Sequence, residues 1–474
     1  MSRAALSVAS ECVPLVKTGG LADVVGALPA AMKAQGWALR TLLPGYSTVM
    51  AALDRTTEVW HAAELFGGPA RLLAARAAGL DLLVLDAPHL YDRDGTIYLT
   101  PTGFDWPDNP ERFAALSMVA AEIAGGALPD WRPEVVHVHD WQAALTPTYM
   151  KARSIDVPVL LTVHNIAFHG LAPSGRLEAL HLQRIRFNSE ELEFYSQISA
   201  LKAGLVDADA VSTVSPTYAR ELMTPRFGMG LEGVIASRAA DLRGILNGID
   251  TGVWSPETDD AIAPYSAPSG KAPNREMLLA EFGIEPGPGP LCIVVSRLTG
   301  QKGLDLLLDA APRLLAMGGM IALLGTGEKG LEGGWRDLGE RSPAVGVHIG
   351  YDEGMSHRMF AGADAVLVPS RFEPCGLTQM YGLRYGTVPL VARTGGLADT
   401  VIDANEAALR AGVATGVLVE PDDAQALGAG LERLVALYAQ PKLWQRMQRN
   451  GMAHPVGWEI AAAEYAAVYA GLAS

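Results

Sequence analysis

Two sets of short, unbroken apolar runs constrain this chain more than any other feature. The first set lies at residues 4–9, 39–43, 82–85, 135–138, 159–163 and 210–214, the second at 291–295, 320–324, 365–368 and 388–392. A strand that is apolar on every residue is buried on both faces, as in a parallel sheet covered by helices on either side. Amphipathic stretches fill the gaps, and helices are predicted at 21–35, 111–122, 141–152 and 217–223. Pro147 falls inside the third and predicts a kink or an early end, because its ring clashes with the preceding turn. Between the two sets, residues 247–290 hold Asn247-Gly248, Ser255-Pro256, Ser269-Gly270 and a Gly/Pro cluster at 286–290. The reading is α/β with two Rossmann-like domains, 1–248 and 249–455, and a C-terminal helix in 456–474 expected to cross back to the N-terminal domain. Doubly wound sheets bind ligands outside the carboxyl ends of their strands, so two facing domains are expected to share a cleft.

At 474 residues, two cores are more natural than one. Lys plus Arg number 37 against 52 Asp plus Glu, a net charge of −15. Such a balance argues against nucleic acid or an anionic membrane as partner, while leaving room for a small anionic ligand in a locally basic cleft. Cys12, Cys292 and Cys375 are far apart and odd in number, so neither a disulfide framework nor a zinc site is implied. The short apolar N-terminus is interrupted by Ser10 and Glu11 and runs into a motif, so it reads as a first strand rather than a signal peptide. With no long uncharged apolar stretch, the expected location is cytoplasmic.

The sequence TGGLAD occurs twice, at 18–23 and 394–399, each time after a basic residue, Lys17 or Arg393. Glycines let a ligand approach the backbone, and a following helix N-terminus offers free N–H groups to a phosphate. Thus Lys17, Gly19 and Gly20 form one candidate turn and Thr394, Gly395 and Gly396 another; two similar structural caps are the alternative. His137 and His139 share a strand face, where packed and hydrogen-bonded rings are favoured over a metal site. Asp140 ends that strand, and His164 with Asn165 ends the next, placing polar groups where a cleft is expected. Arg297 and Lys302 follow a strongly apolar strand and suit a diphosphate, one as a planar fork and one as a point charge. The run Gly325-Thr326-Gly327-Glu328-Lys329-Gly330 matches the dinucleotide fingerprint, but it follows the second strand of its domain, where the fingerprint belongs after the first. Glu373, before Cys375, Gly376 and Leu377, could be nucleophile, base or acceptor for sugar hydroxyls, and no His/Asn set points to Cys375 as a nucleophile.

Taken together, KTGGLADVVGALP, HVHDWQA, TVHNIAFHG, VSTVSPTYA, GMGLEG, LNGID, SRLTGQKG and SRFEPCGLTQMYGLRYGTVPLVARTGGLADTV resemble, in order and spacing, bacterial glycogen (starch) synthases. The resemblance spans nearly the whole chain. It implies the GT-B fold and transfer of glucose from ADP-glucose to the non-reducing end of an α-1,4-glucan such as glycogen, with retention and with neither cofactor nor metal. It further implies that Lys17, Gly19 and Gly20 serve the donor from the first domain, and that Asp140, His164 and Asn165 lie at the glucose. Asn247 belongs to a hinge motif that contacts the donor, Arg297 and Lys302 hold the diphosphate, and Tyr351 resembles an adenine contact. Glu373, Cys375, Gly376 and Leu377 would hold glucose, and Thr394, Gly395 and Gly396 the phosphate. Two positions depart from the family pattern: Gly300 stands where Trp is usual, with the prospect of a looser Lys302 loop, and Gly457-Trp458 replaces Ser-Trp. Retention by front-face attack is favoured over double displacement, for which Glu373 is the one serious nucleophile.

Overall fold

The computed structural model describes residues 2–474, and the chain divides into two compact units. The first runs to Val214, resumes over Ala219–Asn247 and ends with Trp458–Ser474; the second comprises Ser215–Tyr218 and Gly248–Gly457.

The first unit is built on β1 (Arg3–Val8), β2 (Trp37–Pro44), β3 (Thr56–Ala62), β4 (Ala70–Ala77), β5 (Leu80–Asp86), β6 (Val135–His139) and β7 (Val159–Val163). A separate small antiparallel sheet follows, from β8 (Leu171–Pro173), β9 (Glu193–Phe194) and β10 (Gln197–Ser199). Then β11 (Ala210–Thr213) and β12 (Leu242–Gly244) complete a nine-stranded sheet of order β12-β11-β7-β6-β1-β2-β5-β4-β3. Pairing is parallel except at β4, which runs antiparallel to both neighbours. The predicted runs become β1, β2, β5, β6, β7 and β11. The β3–β4 extension escapes a search for apolar runs because β3 is a solvated edge, with no residue fully buried.

Alternation sorts the two faces of this sheet. Ala5, Leu39, Val135 and Leu160 join Val24, Leu28 and Met32 of the helix Gly20–Ala34 in one core cluster. The last helix, Trp458–Leu472, completes the cluster with Ala461, Ala462, Tyr465 and Tyr469. The helix Asn109–Ala124 packs against β1 and β2. The helix predicted at 141–152 is broken into Asp140–Ala143 and Thr146–Ala152, so that Pro147 lies in the first turn of the second piece, where no N–H is needed.

The second unit carries β13 (Leu291–Val295), β14 (Met320–Gly325), β15 (Val345–Ile349), β16 (Ala365–Val368), β17 (Val388–Ala392) and β18 (Val417–Val419). They form a fully parallel sheet of order β15-β14-β13-β16-β17-β18. This is the 3-2-1-4-5-6 order of a nucleotide-binding sheet. One core cluster joins Val294, Leu323, Leu367 and Leu390 to Leu307, Leu314, Trp335, Leu431 and Leu434 of three covering helices. Among the described residues no helix is long and apolar enough to cross a membrane.

Candidate active site

Each sheet has its own point where successive strands leave in opposite directions, between β1 and β6 in the first unit and between β13 and β16 in the second. Chain connections depart to either side there, leaving a crevice at the strands' carboxyl ends.

In the second unit a pocket occupies that crevice, lined by Ser296, Lys302, Ser370, Glu373, Gly376 and Leu377 among others. Lys302 Nζ donates to Glu373 Oε2 at 2.5 Å, and Ser370 Oγ donates to the same oxygen at 2.9 Å. Both ends of the ion pair are largely buried, with side-chain exposures of 18% and 8%. Arg297, on the loop leaving β13, is exposed, and its guanidinium makes no hydrogen bond or ion pair among the described residues.

Arg371, in the run Ser370-Arg371-Phe372-Glu373, ties this loop together. Its Nη1 donates to Gly300 O at 2.6 Å, and its fork grips both oxygens of Asp305 at 2.7 Å. Those bonds raise the pKa of Arg371 and lower that of Asp305. Gly300 N–H donates to Glu328 Oε1 at 3.0 Å. The backbone at Gly300 is therefore anchored on both sides without a large side chain.

The two TGGLAD turns are built differently. In the second, Thr394, Gly395 and Gly396 are buried, and Gly396 N–H donates to the carbonyls of Glu373 and Pro374 at 3.2 and 3.1 Å. A Cβ on Gly395, at φ +43°, would meet Glu373 O at 1.9 Å, and one on Gly396 would meet Cys375 O at 2.2 Å. These glycines let two backbones touch, and they fix the segment that carries Glu373. In the first copy Lys17, Thr18, Gly19 and Gly20 are exposed, and a Cβ on either glycine would meet nothing within 4 Å. Here the N–H groups are taken by Glu11, whose carboxylate accepts from Thr18 N and Oγ1 at 2.5 Å each and from Gly19 N at 3.1 Å. Tyr98 OH donates to it at 2.6 Å, and Lys17 pairs with Asp23 at 2.7 Å. Glu11 had registered in the sequence only as an interruption of an apolar run. Its position at the exit of the central strand was the available signal.

At the ends of β6 and β7 the structure brings Asp140, His164 and Asn165 together. Asp140 Oδ1 accepts from the N–H of His164 at 2.6 Å and of Asn165 at 3.3 Å, while Oδ2 makes no hydrogen bond among the described residues. Asp140 has φ +53°, a left-handed conformation that is rare outside glycine and concentrates at functional sites. Burial pushes its pKa up from 3.8 to about 7; the two N–H donors oppose the rise and the Glu11 charge adds to it. His164 is buried and its pKa falls to about 3 by desolvation. Each ring nitrogen of His137 and His139 is engaged: His137 with Tyr469 OH (2.7 Å) and Thr162 Oγ1 (2.6 Å), His139 with His164 Nε2 (3.0 Å) and Ser7 Oγ (3.3 Å).

Three sequence candidates do not line the second unit's pocket. Tyr351 is 77% exposed after the edge strand β15, its OH donating to Glu353 at 3.2 Å, and it does not line the pocket. Asn247 is buried, and its Oδ1 has no partner among the described residues. Cys375 is buried under the turn containing Gly376. The second-unit Gly-rich run is structural: a Cβ on Gly325 or Gly327 would strike the carbonyl of Ser296 or Leu298 at 2.0 and 2.2 Å. Its Gly327 N–H and Thr326 Oγ1 are bound by buried Glu332 at 3.0 and 2.8 Å, so a carboxylate of the chain sits where a cofactor phosphate would.

Residues 5–237 match the family model described as the starch synthase catalytic domain, and residues 281–454 match glycosyl transferases group 1. The chain is 59% identical to a glycogen synthase of Paracoccus denitrificans over 99% of both chains. It is 52% identical to glycogen synthase 1 of Rhizobium meliloti over 98% of both. Among solved structures, the catalytic domain of starch synthase IV from Arabidopsis thaliana, bound to ADP and acarbose, is similar at a TM-score of 0.86 and 27% identity over the full length of both chains.

Proposed function

The chain belongs to the glycogen synthase family, with the two-domain GT-B type of fold, and from that premise we propose that it extends an α-1,4-glucan with glucose from ADP-glucose, retaining the anomeric configuration. The observation that carries the reading is the pairing of Lys302 with Glu373 in the second unit's crevice, with the exposed Arg297 on the same loop. Breaking the bond to the anomeric carbon leaves negative charge on the departing diphosphate. Lys302 and Arg297 stabilise that charge, because cations held in place before the reaction need no reorganisation during it. Glu373 keeps Lys302 oriented until the donor arrives and then accepts from sugar hydroxyls. In the first unit, Asp140 Oδ2 and Nδ1 of His164 are the groups left available to a sugar. The solved relative's ADP and acarbose support a nucleotide donor and an oligosaccharide acceptor.

Front-face attack, with the leaving phosphate taking the acceptor's proton, fits better than double displacement. Glu373 is already engaged by Lys302 and Ser370, and a carboxylate so neutralised is a weak nucleophile. The test is release of nucleoside diphosphate from ADP-glucose or UDP-glucose, with and without glycogen. Glycogen-dependent ADP release is expected; release indifferent to glycogen sinks the polymerase reading, and preference for UDP-glucose sinks the donor assignment. A glucosylated Glu373 trapped by mass spectrometry would overturn front-face attack.

A further inference from the structure

We propose that His139 is a positioning residue that fixes the tautomer and ring orientation of His164, and so decides what His164 presents to the sugar. The proposal rests on the reading of His164 as a residue at the glucose.

The two rings sit on neighbouring parallel strands, β6 and β7, with His139 Nδ1 and His164 Nε2 3.0 Å apart. Both are buried in surroundings that disfavour charge, and His137, its ring tilted at 39° with its centroid 4.1 Å from that of His139, adds a third neutral ring. Two neutral imidazoles that meet nitrogen to nitrogen share one proton: one ring donates and the other accepts. The outer nitrogen of His139 meets Ser7 Oγ, a hydroxyl able to give or take a proton. The remaining nitrogen of His164, Nδ1, has no partner among the described residues, and its state follows from the pair. If His139 donates, His164 carries its proton on Nδ1 and offers a donor. If His164 donates, Nδ1 is bare and offers an acceptor. Without His139 the Nε2 of His164 is a buried polar atom with no partner, and the ring is free to flip or shift to recover one. The backbone N–H bond to Asp140 holds the main chain of residue 164 and leaves the ring undirected. His139 is thus the contact that orders the imidazole itself.

Asparagine places an amide close to where Nδ1 of histidine lies, and glutamine places one close to Nε2. His139→Asn therefore keeps a partner for His164, whereas His139→Gln keeps one for Ser7 alone and His139→Leu keeps neither. The experiment is long-range 1H–15N correlation of ring-labelled histidines in the full-length enzyme at pH 7.5, with kcat and KM measured on glycogen. In the wild type His164 is expected as a single neutral tautomer. It is expected to average between tautomers in the Gln and Leu variants and to return to one form in the Asn variant. In step, kcat should fall about tenfold or more in Gln and Leu with KM little changed, and recover in Asn, since small misplacements of a reacting group cost rate rather than binding. Two tautomers of His164 in the wild type, or one unchanged tautomer in the Leu variant, would overturn the proposal, and the first of these needs no variant to fold. Loss of the single tautomer with kcat untouched would uphold the pairing and overturn the placement of His164 at the sugar.

Discussion

Replacing Asp140 with Asn should make this protein more stable and less active, by amounts the structure sets. Burial raises the Asp140 carboxyl pKa from 3.8 to about 7. The folded-state pKa then lies above the unfolded one, so the native chain holds the proton more tightly and ionisation works against folding. The penalty is absent below pH 4, grows as the pH climbs from about 4 to about 7, and is constant above that. At ~1.4 kcal/mol per pH unit it reaches about 4 kcal/mol at pH 8 and about 2 kcal/mol at pH 5.5. Asn is neutral throughout, tolerates φ +53°, and its Oδ1 still accepts from the His164 and Asn165 N–H groups. What changes is Oδ2, an acceptor that becomes an NH2 donor. Urea denaturation at the two pH values should show the Asn variant ahead by about 4 and about 2 kcal/mol. Its kcat/KM should fall by about 100-fold, the loss expected when one fixed electrostatic contact to a reacting sugar is removed. An Asn variant no more stable than the wild type at pH 8, or stabilised equally at both pH values, would refute the electrostatic reasoning. Full activity would remove Asp140 from the site.

Lys302→Ala should lower kcat/KM by about 100-fold or more and also cost about 3 kcal/mol of stability by stranding the buried Glu373 carboxylate. Adding Glu373→Gln to it should restore most of the stability and none of the activity, as read by urea melts and glucose transfer. Gly19→Ala should leave the melting temperature within about 2 °C, because its Cβ meets open space, whereas Gly395→Ala should lower it well beyond that by driving into the Glu373 carbonyl. Equal thermal shifts would contradict the different construction of the two turns. Arg371→Ala should weaken donor binding, read as a rise in KM for ADP-glucose, by freeing the loop that Arg371 ties to Asp305; an unchanged KM would place the Lys302 loop's order elsewhere.

Much of this architecture was legible from the chain because parallel strands buried on both faces must be apolar throughout. Runs such as 159–163 and 291–295 became β7 and β13 for that reason. Polar residues directly after such runs mark strand ends, so Asp140, His164 and Arg297 could be picked out without coordinates. The β3–β4 extension could not, since an edge strand facing water carries no continuous apolar signal. Nor could the break before Thr146, where only packing tells whether a proline kinks one helix or opens a second.

The twin TGGLAD turns show where local sequence stops. Six identical residues after a basic one specify, in both places, a flexible turn leading into a helix. Whether its N–H groups are open, bound to a carboxylate or pressed onto another backbone depends on what tertiary structure lays against them. Glu11 reaches the first copy from the exit of β1, and the Glu373–Cys375 backbone covers the second. The same holds for Arg371 and His139. Their identities are written in the chain, but their partners Asp305 and His164 lie 66 and 25 residues away and meet them only through strand order. Hydrophobic periodicity is a property of neighbours along the chain and reads out directly. Hydrogen bonds and ion pairs between distant residues are decided by topology, and only the folded protein shows which of them form.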